Sequence, residues 1–407
     1  MASDKISQVL IASEPDFLNL VASSGRVPSG SGLSFVGLPC ANPEFTGEIE
    51  VAENEATSNK FFKRAPVATL RRGSVAFDLY LRSVGMEGDY SDPQFKILDA
   101  CFGKQVTTAN SYTVDTWEDA TVVVLTSVAS LAVGSGFAVV VGGVKHVRFV
   151  TNIQQAQKRV TFAPALPATV VSEGPEYIYG GRTYAIGRNF KEDSSLAAQL
   201  RKEAYMVEAL GLQGSAFDLP LETGKMATAK VTLRAGYYNA VADAEAVGAT
   251  SEPSGTWLKF LNADCFVAGE ATAVRSAKWS IQLGASAVQT PSNAAGLSAW
   301  EMGAPEIAAS LELSAFDSTY PLRFEESTEF SVLCTLGTPD GGSAVAIYCP
   351  AMHIAKFPEP GSADDLTTLP LELRAGNTEA DDGTFSSAED SVVDTIFRLF
   401  YEAGPSV

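Results

Sequence analysis

The feature that most limits this chain is a strand pattern recurring about every 10–15 residues along its length, with Gly, Pro, Asn and Asp in the breaks. It is clearest in residues 71–82, RRGSVAFDLYLR, where Val75, Phe77, Leu79 and Leu81 alternate with Ser74, Ala76, Asp78 and Tyr80. Successive strand side chains point to opposite faces, so this period predicts one buried and one wetted face. Similar segments follow at RTYAIGRNF, MVEALGLQGSAFDLPLE, KMATAKVTLRAGYY, TWLKFLNADCFV, KWSIQLGASAVQ, PEIAASLELSAF, TEFSVLCTLG, SAVAIYCPAMHIAKF and LTTLPLELRAG. Helices are few. In DPQFKILDACFG, Phe95, Leu98 and Phe102 fall on one face, Asp92-Pro93 opens the segment and Gly103 closes it. SLAAQLRKEAY (195–205) reads as a second helix. Many strands and one or two helices make the class mainly β.

Thr121 to Val144 carries no charge and is long enough to suggest a membrane helix. Its valines and the Gly134-Ser135-Gly136 break instead predict strand, turn, strand. FAVVVGGVKHVRFVTNI adds a turn at Gly142-Gly143, and KRVTFAPALPATVVSEGPEYIY another strand with proline-bounded loops. Residues 115–180 therefore read as a small inserted β-domain on the outside of a host, where additions disturb little buried backbone. The host carries two similar phrases. VAFDLYLR, the 92–103 helix and a closing VTLRAG (231–236) are echoed by IAASLELSAF, PLRFEEST and a closing LELRAG (371–376). The expected organisation is an N-terminal arm (1–45), a first unit (46–114 and 181–250), the insert (115–180), a second unit (251–376), and an acidic loop with a terminal strand (377–407).

Charge and chemistry narrow the function. The net charge is −19 over 407 residues. Residues 1–202 hold 19 basic and 20 acidic side chains, and residues 203–407 hold 10 and 28. So acidic a chain repels phosphate backbones and is not a conventional nucleic-acid binder. Cys40, Cys101, Cys265, Cys334 and Cys349 are widely spaced, without the spacing of a zinc site or a disulfide framework, and His146 and His353 are the only histidines. Asp4, Glu14 and Asp16 interrupt any secretory leader at the start, which points to folding in a reducing cytoplasm.

No catalytic constellation is expected. Gly224-Lys225 runs into Met226 rather than Ser or Thr, and Gly30-Ser31-Gly32 fails the dinucleotide pattern. His353 with Cys334 or Cys349 would suit a thiol nucleophile and its base, but reads as a strand histidine beside buried thiols. Glu325-Glu326 and Asp381-Asp382 read as solvated pairs rather than a glycosidase dyad. His146, with Lys145 and Arg148, reads as a solvated strand edge. No catalytic residue, metal ligand or cofactor is assigned, and the chain is read as a non-enzyme.

From RRGSVAFDLYLR…DPQFKILDACFG onward the sequence resembles the tail tube (major tail) proteins of long-tailed bacteriophages. The resemblance continues at TYAIGRNF, at ALGLQGSAFDLPLETGKMATAKVTLRAG and at PEIAASLELSAF…TEFSVLCTLG…SAVAIYCPAMHIAKF…LPLELRAG. It covers about two-thirds of the chain, leaving out 1–45, 115–180 and the C-terminal end. It implies a tail-tube-type β-sandwich or half-barrel with a short flanking helix. It also implies a structural virion protein, assembled in the host cytoplasm, whose stacked rings form a hollow conduit for the genome. Two such units in the chain would make a ring from three copies with pseudo-six-fold symmetry; one unit plus additions would need six. The trimer is favoured.

The partners implied are sister copies, the tape measure and tail terminator proteins, and DNA that passes without specific binding; no membrane insertion is expected. A lumen lined by carboxylates would not grip a phosphate backbone. The candidate axial joint is FTGEIEVAENEATSNKFFKRAP (45–66), with Glu48, Glu50, Glu53 and Glu55 in its middle and Lys60, Lys63 and Arg64 at its end. The competing reading is a phage or bacterial surface β-protein that binds carbohydrate or a receptor. The four tryptophans, Trp117, Trp257, Trp279 and Trp300, do not cluster in sequence as that reading would favour.

Overall fold

Alternating apolar and polar side chains place most of the chain in antiparallel sheets, and the class is mainly β. The computed structural model describes residues 6, 8–14, 18, 33–52, 67–84, 90, 92–186, 195–202, 205–242, 255–261, 263–291, 295–315, 317–337, 343–363, 366–376 and 396–403. Strands β1 (Gln8–Ser13), β2 (Val36–Gly37), β3 (Cys40–Ala52) and β4 (Val67–Tyr80) precede helix α1 (Pro93–Phe102). Next come β5 (Gly103–Thr107), β6 (Ser111–Asp119), β7 (Val122–Leu125), β8 (Gly136–Val141), β9 (Val144–Gln154) and β10 (Arg159–Ala163). Helix α2 (Ala168–Glu173) leads to β11 (Tyr177–Tyr179), β12 (Gly181–Ile186), β13 (Leu196–Arg201), β14 (Tyr205–Glu222), β15 (Thr228–Ala235) and β16 (Tyr237–Ala242). Then follow β17 (Cys265–Val267), β18 (Glu270–Ala271), β19 (Val274–Gln282), β20 (Ala285–Gln289), β21 (Leu297–Met302) and β22 (Glu306–Leu313). Helix α3 (Thr319–Glu325), β23 (Phe330–Leu336), β24 (Val345–Ile354), β25 (Gly361–Ala363), β26 (Leu366–Ala375) and β27 (Arg398–Glu402) complete the order.

Helix α1 forms as its local sequence predicts. Asp92 caps it by accepting from the Gln94 N–H at 2.9 Å, Pro93 starts it, and Gly103 ends it in the left-handed region. Gln94 also ties the helix to the end of β4: its side chain accepts from the Arg82 N–H at 3.0 Å and donates to the Arg82 carbonyl at 3.1 Å. The expected helix at 195–205 is corrected. Leu196–Arg201 is a strand, paired on one side with β1 and on the other with β14. Its helix-forming residues are buried on both faces, so tertiary pairing overrides propensity. In the other direction, the PLRFEEST region contributes a short helix, α3.

Two large antiparallel sheets share one apolar core. The first has the order β3-β4-β15-β14-β19-β22-β26-β25. The second has the order β5-β12-β27-β24-β23-β17-β18. Val75, Phe77, Leu219, Trp279, Leu311 and Leu371 of the first meet Tyr184, Leu399, Ile347 and Val332 of the second in one cluster, with α1 between strands. The first half of β14 leaves the first sheet and pairs instead with β13 and β16. Gly214 permits a close approach here, since a Cβ would lie 2.5 Å from Cys101 Cα on α1.

Within the first sheet, β3-β4-β15-β14 and β19-β22-β26-β25 have the same order and connectivity. In each, an outer strand leads to a middle one (β4, β22), a helix follows (α1, α3), and the last two strands form a hairpin. β1 joins the same core through Val9 and Ile11, and β27 lies between β12 and β24 inside the second sheet.

Residues 111–179 form a closed six-stranded barrel, β10-β7-β6-β11-β8-β9, with its own core of Val123, Phe137, Val139, Val150, Val160 and Ile178. Thr121–Val144 supplies β7 and β8, so its apolar character comes from packing inside the barrel. Gly142 and Gly143, with φ of 56° and 79°, make the tight turn from β8 to β9. The barrel docks on the outer face of the second sheet. Phe149 stacks on Tyr348 with centroids 4.7 Å apart, and Ala138 and Val147 meet Leu333, Ala346 and Phe400.

The basic residues of β9 are a correction to the solvated-edge reading. Lys145 pairs with the buried Glu402 at 2.7 Å, and His146 Nδ1 lies 2.8 Å from Asp264 Oδ2. Arg148 is fully buried over the Phe266 ring and donates to the Val147 and Ala165 carbonyls at 2.6 and 3.1 Å. Burial pushes its guanidinium down to about 10. These side chains face the body rather than water, because the second sheet closes over them. Truncating Phe149→Ala is expected to lower unfolding stability by about 3 kcal/mol through the lost stack and the cavity. Equilibrium denaturation with urea checks this.

Candidate assembly surface

The outer face of the first sheet is polar along every strand described. Cross-strand partners place Ala41, Asp78, Lys230, Asp218, Ser280, Ala308 and Arg374 in one continuous row. Neighbouring rows hold Glu44, Ala76, Thr232, Ala216, Gln282 and Glu306, and Pro220, Lys278, Ser310 and Glu372. Small side chains keep this face smooth, and acids outnumber bases on it. Hydroxyls hold several carboxylates in place: Ser280 donates to Asp218 at 2.5 Å, and Ser276 and Ser310 to Glu312 and Glu372 at 3.2 Å each. Asn42 donates to Asp78 at 2.7 Å.

The two borders of the sheet differ. β3 pairs only with β4 among the described residues; beyond β26 the border is shared by the three-residue β25 and by Met352–Ile354 of β24, through which this sheet runs on into the second. With eight antiparallel strands, the two border strands run in opposite senses. β3 and β19 both end at one rim, here called upper; β4 ends and β15 begins at the lower rim. At the upper rim the hairpin β20–β21 rises from the end of β19. It is anchored by the Arg234 side chain, which donates to the Ala285 carbonyl, and by Trp300, whose indole N–H donates to the Gly211 carbonyl at 2.9 Å. A cleft of about 490 Å³ opens between it and the sheet, with Glu48, Arg72, Ser74, Arg234 and Trp300 among its walls.

The Gly211 peptide joins that hairpin to the N-terminal segment. Its N–H donates to both carboxylate oxygens of Glu14, at 3.2 and 3.1 Å. Glu14 is 3% exposed, and burial pushes its carboxyl up to about 7 against the hydrogen bonds that favour the anion. Burial likewise pushes Asp99, on α1, up to about 6.

Of the candidate joint residues, Glu50 sits exposed near the end of β3, 3.9 Å from Arg72, with Glu48 exposed two residues before it. Glu53, Glu55, Lys60, Lys63 and Arg64 lie outside the described residues. Cys334 and Cys349 are fully buried and their thiols are pushed up, so the nucleophilic thiolate is disfavoured near neutrality. His353 stands across from Arg374 in the β24–β26 ladder. Glu325 and Glu326 are exposed at the end of α3, and Asp381-Asp382 lies outside the described residues. The hairpin β20–β21 and the buried Glu14 escaped sequence reading; Trp300 in a small-residue segment was the available signal for the first. No protein-family model and no curated protein matches this chain.

The Glu14 shift has a definite sign. The folded state holds this proton more tightly than the unfolded chain, so its contribution is complete below about pH 4.5 and declines until about pH 7. Glu14→Gln is expected to be more stable than the parent at pH 8, by up to about 3 kcal/mol, with the difference shrinking toward pH 4.5. Denaturant midpoints measured at intervals across that range check the trend.

Proposed function

We propose that this chain is a tail tube subunit, a structural virion protein that closes into rings and stacks into a conduit for genome delivery. The observation that carries the reading is the eight-stranded antiparallel sheet, covered on one face, polar on the other, with border strands β3 and β25 running in opposite senses. An even strand count lets the β25 border of one copy meet the β3 border of the next without breaking the antiparallel alternation. Such pairing satisfies edge groups that otherwise invite aggregation, and a head-to-tail contact that closes by rotation makes a ring.

The repeated order β3-β4-β15-β14 and β19-β22-β26-β25 favours a trimer. Three copies then bring six similar four-strand units around the hole, giving pseudo-six-fold symmetry. The polar face, with its excess of acids, becomes the lumen, and carboxylates there repel passing DNA. The barrel of residues 111–179 lies behind the second sheet and so on the outside. Tape measure and tail terminator proteins are the further partners of such a tube, and the virion tail its location.

Negative-stain microscopy of the purified protein with rotational averaging, combined with native mass measurement, tests this. Rings or tubes of uniform bore with six-fold appearance and three copies per ring are expected. Persistent monomers that bind glycans would instead establish the surface-binding alternative. Charge reversal at Lys63 and Arg64 is expected to leave rings intact but impair their polymerisation; tubes of normal length would remove that segment from the joint.

A further inference from the structure

The lower rim carries an apolar platform that the sheet does not use. Residues 256–261 run across the ends of β4 and the β14–β15 turn, with bridges from Trp257 to Arg82 and from Lys259 to Met226 and Gly337. This segment carries apolar side chains on both of its sides. Leu258 and Phe260 point inward, at 0% and 3% exposure, while Trp257 and Leu261 are 42% and 38% exposed on the opposite side. Met226, 48% exposed, flanks them, and Lys259 lies between the two outward apolar side chains. Exposed apolar side chains scattered singly need no explanation, but a group of three around one cation does.

The platform is also held in place before anything binds. The Trp257 ring meets Tyr80 edge-on at 5.6 Å and lies beneath the Arg82 guanidinium at 5.2 Å. Arg82 is in turn fixed by Asp92 at 3.1 Å. An aromatic side chain fixed in this way loses little freedom on binding, the usual property of an interface anchor.

The opposite rim offers the complement. There Glu48, Ile49 and Glu50 are all exposed near the end of β3, Ile49 at 50%, beside Arg72. The β20–β21 hairpin adds the exposed Val288 and Glu301. One rim therefore presents an apolar pair about a lysine, and the other the exposed Ile49 between Glu48 and Glu50, with Arg71 and Arg72 across the ladder from Ile49 and Glu48.

We infer that the Trp257–Met226–Leu261 platform is the docking surface for the upper rim of a second copy of this chain, its β3 end and β20–β21 hairpin. A contact between unlike ends does not close on itself and propagates along an axis, so this surface is the joint between successive rings. The inference rests on the tube-subunit reading and adds to it the surface that receives the next ring.

The test uses Met226→Asp and Leu261→Asp in the full chain, with assembly followed by light scattering and negative stain. Both are expected to form rings of parental size and to raise the concentration needed for tubes at least about tenfold. Tubes of parental length from both variants overturn the platform while leaving the tube reading intact. If the parent forms neither rings nor tubes, the tube reading itself fails and the platform with it. Acrylamide quenching of the Trp257 emission, taken as the difference between parent and Trp257→Phe, decides the matter should the aspartate variants form no rings. A several-fold loss of quenching on passing from rings to tubes supports the joint; equal quenching in the two states overturns it.

Discussion

The backbone ladder along β14 is the constraint on which the rest depends. Its 18 residues bond four other strands: β13 and β16 along the first half, β15 and β19 along the second. A left-handed Gly211, with φ of 61°, marks the change of partners. Through this strand the two similar four-strand groups become one sheet, and the N-terminal strand is tied to the same core. Each backbone donor lost from a buried ladder would cost the desolvation of an unpaired group. The register of β14 therefore sets which side chains face the core and which form the polar face.

The two sheets use burial differently. Central strands of the second sheet are enclosed on both sides: in β27, Leu399 and Tyr401 join the main core while Phe400 joins the barrel contact. A strand enclosed in this way reads as a continuous apolar run rather than an alternation. The first sheet is covered once only, and its other face keeps small and charged residues over its whole width. In the proposed tube this asymmetry separates the tasks, with cohesion assigned to the inner layers and passage to the polar face. The free strands at the two borders, β3 and the short β25, and the two unlike rims then point along the two directions in which copies would add.

Legibility followed the range of the interactions. Helix α1 was readable because its cap, its starting proline, its apolar face and its terminating glycine all act within one segment. The strand at 71–82 was readable because its period is local. Leu196–Arg201 was misread, since a strand enclosed by two neighbours can consist of residues that would favour a helix in isolation. His146, Lys145 and Arg148 were misread as solvated because the surface that buries them comes from residues far away in sequence, Asp264, Glu402 and Phe266. The Trp257 segment reads as a strand in the sequence but makes only isolated bridges, the strand there being confined to Cys265–Val267, and its unused apolar face could be seen only once Leu258 and Phe260 were placed in the core.

The sequence by itself determined the mainly β class, the faces of its alternating strands, the ends of its first helix and the acidic balance of its second part. Those properties arise from side-chain period, local capping and charge, all of which are written in consecutive residues. Tertiary structure alone decided which strands pair, that one strand would carry four partners, that the barrel would rest on a buried arginine beside the half-buried Lys145 and His146, and that an apolar platform would be left at one rim. Pairing between distant strands depends on which faces close over one another, and a one-dimensional pattern specifies a face without specifying what covers it.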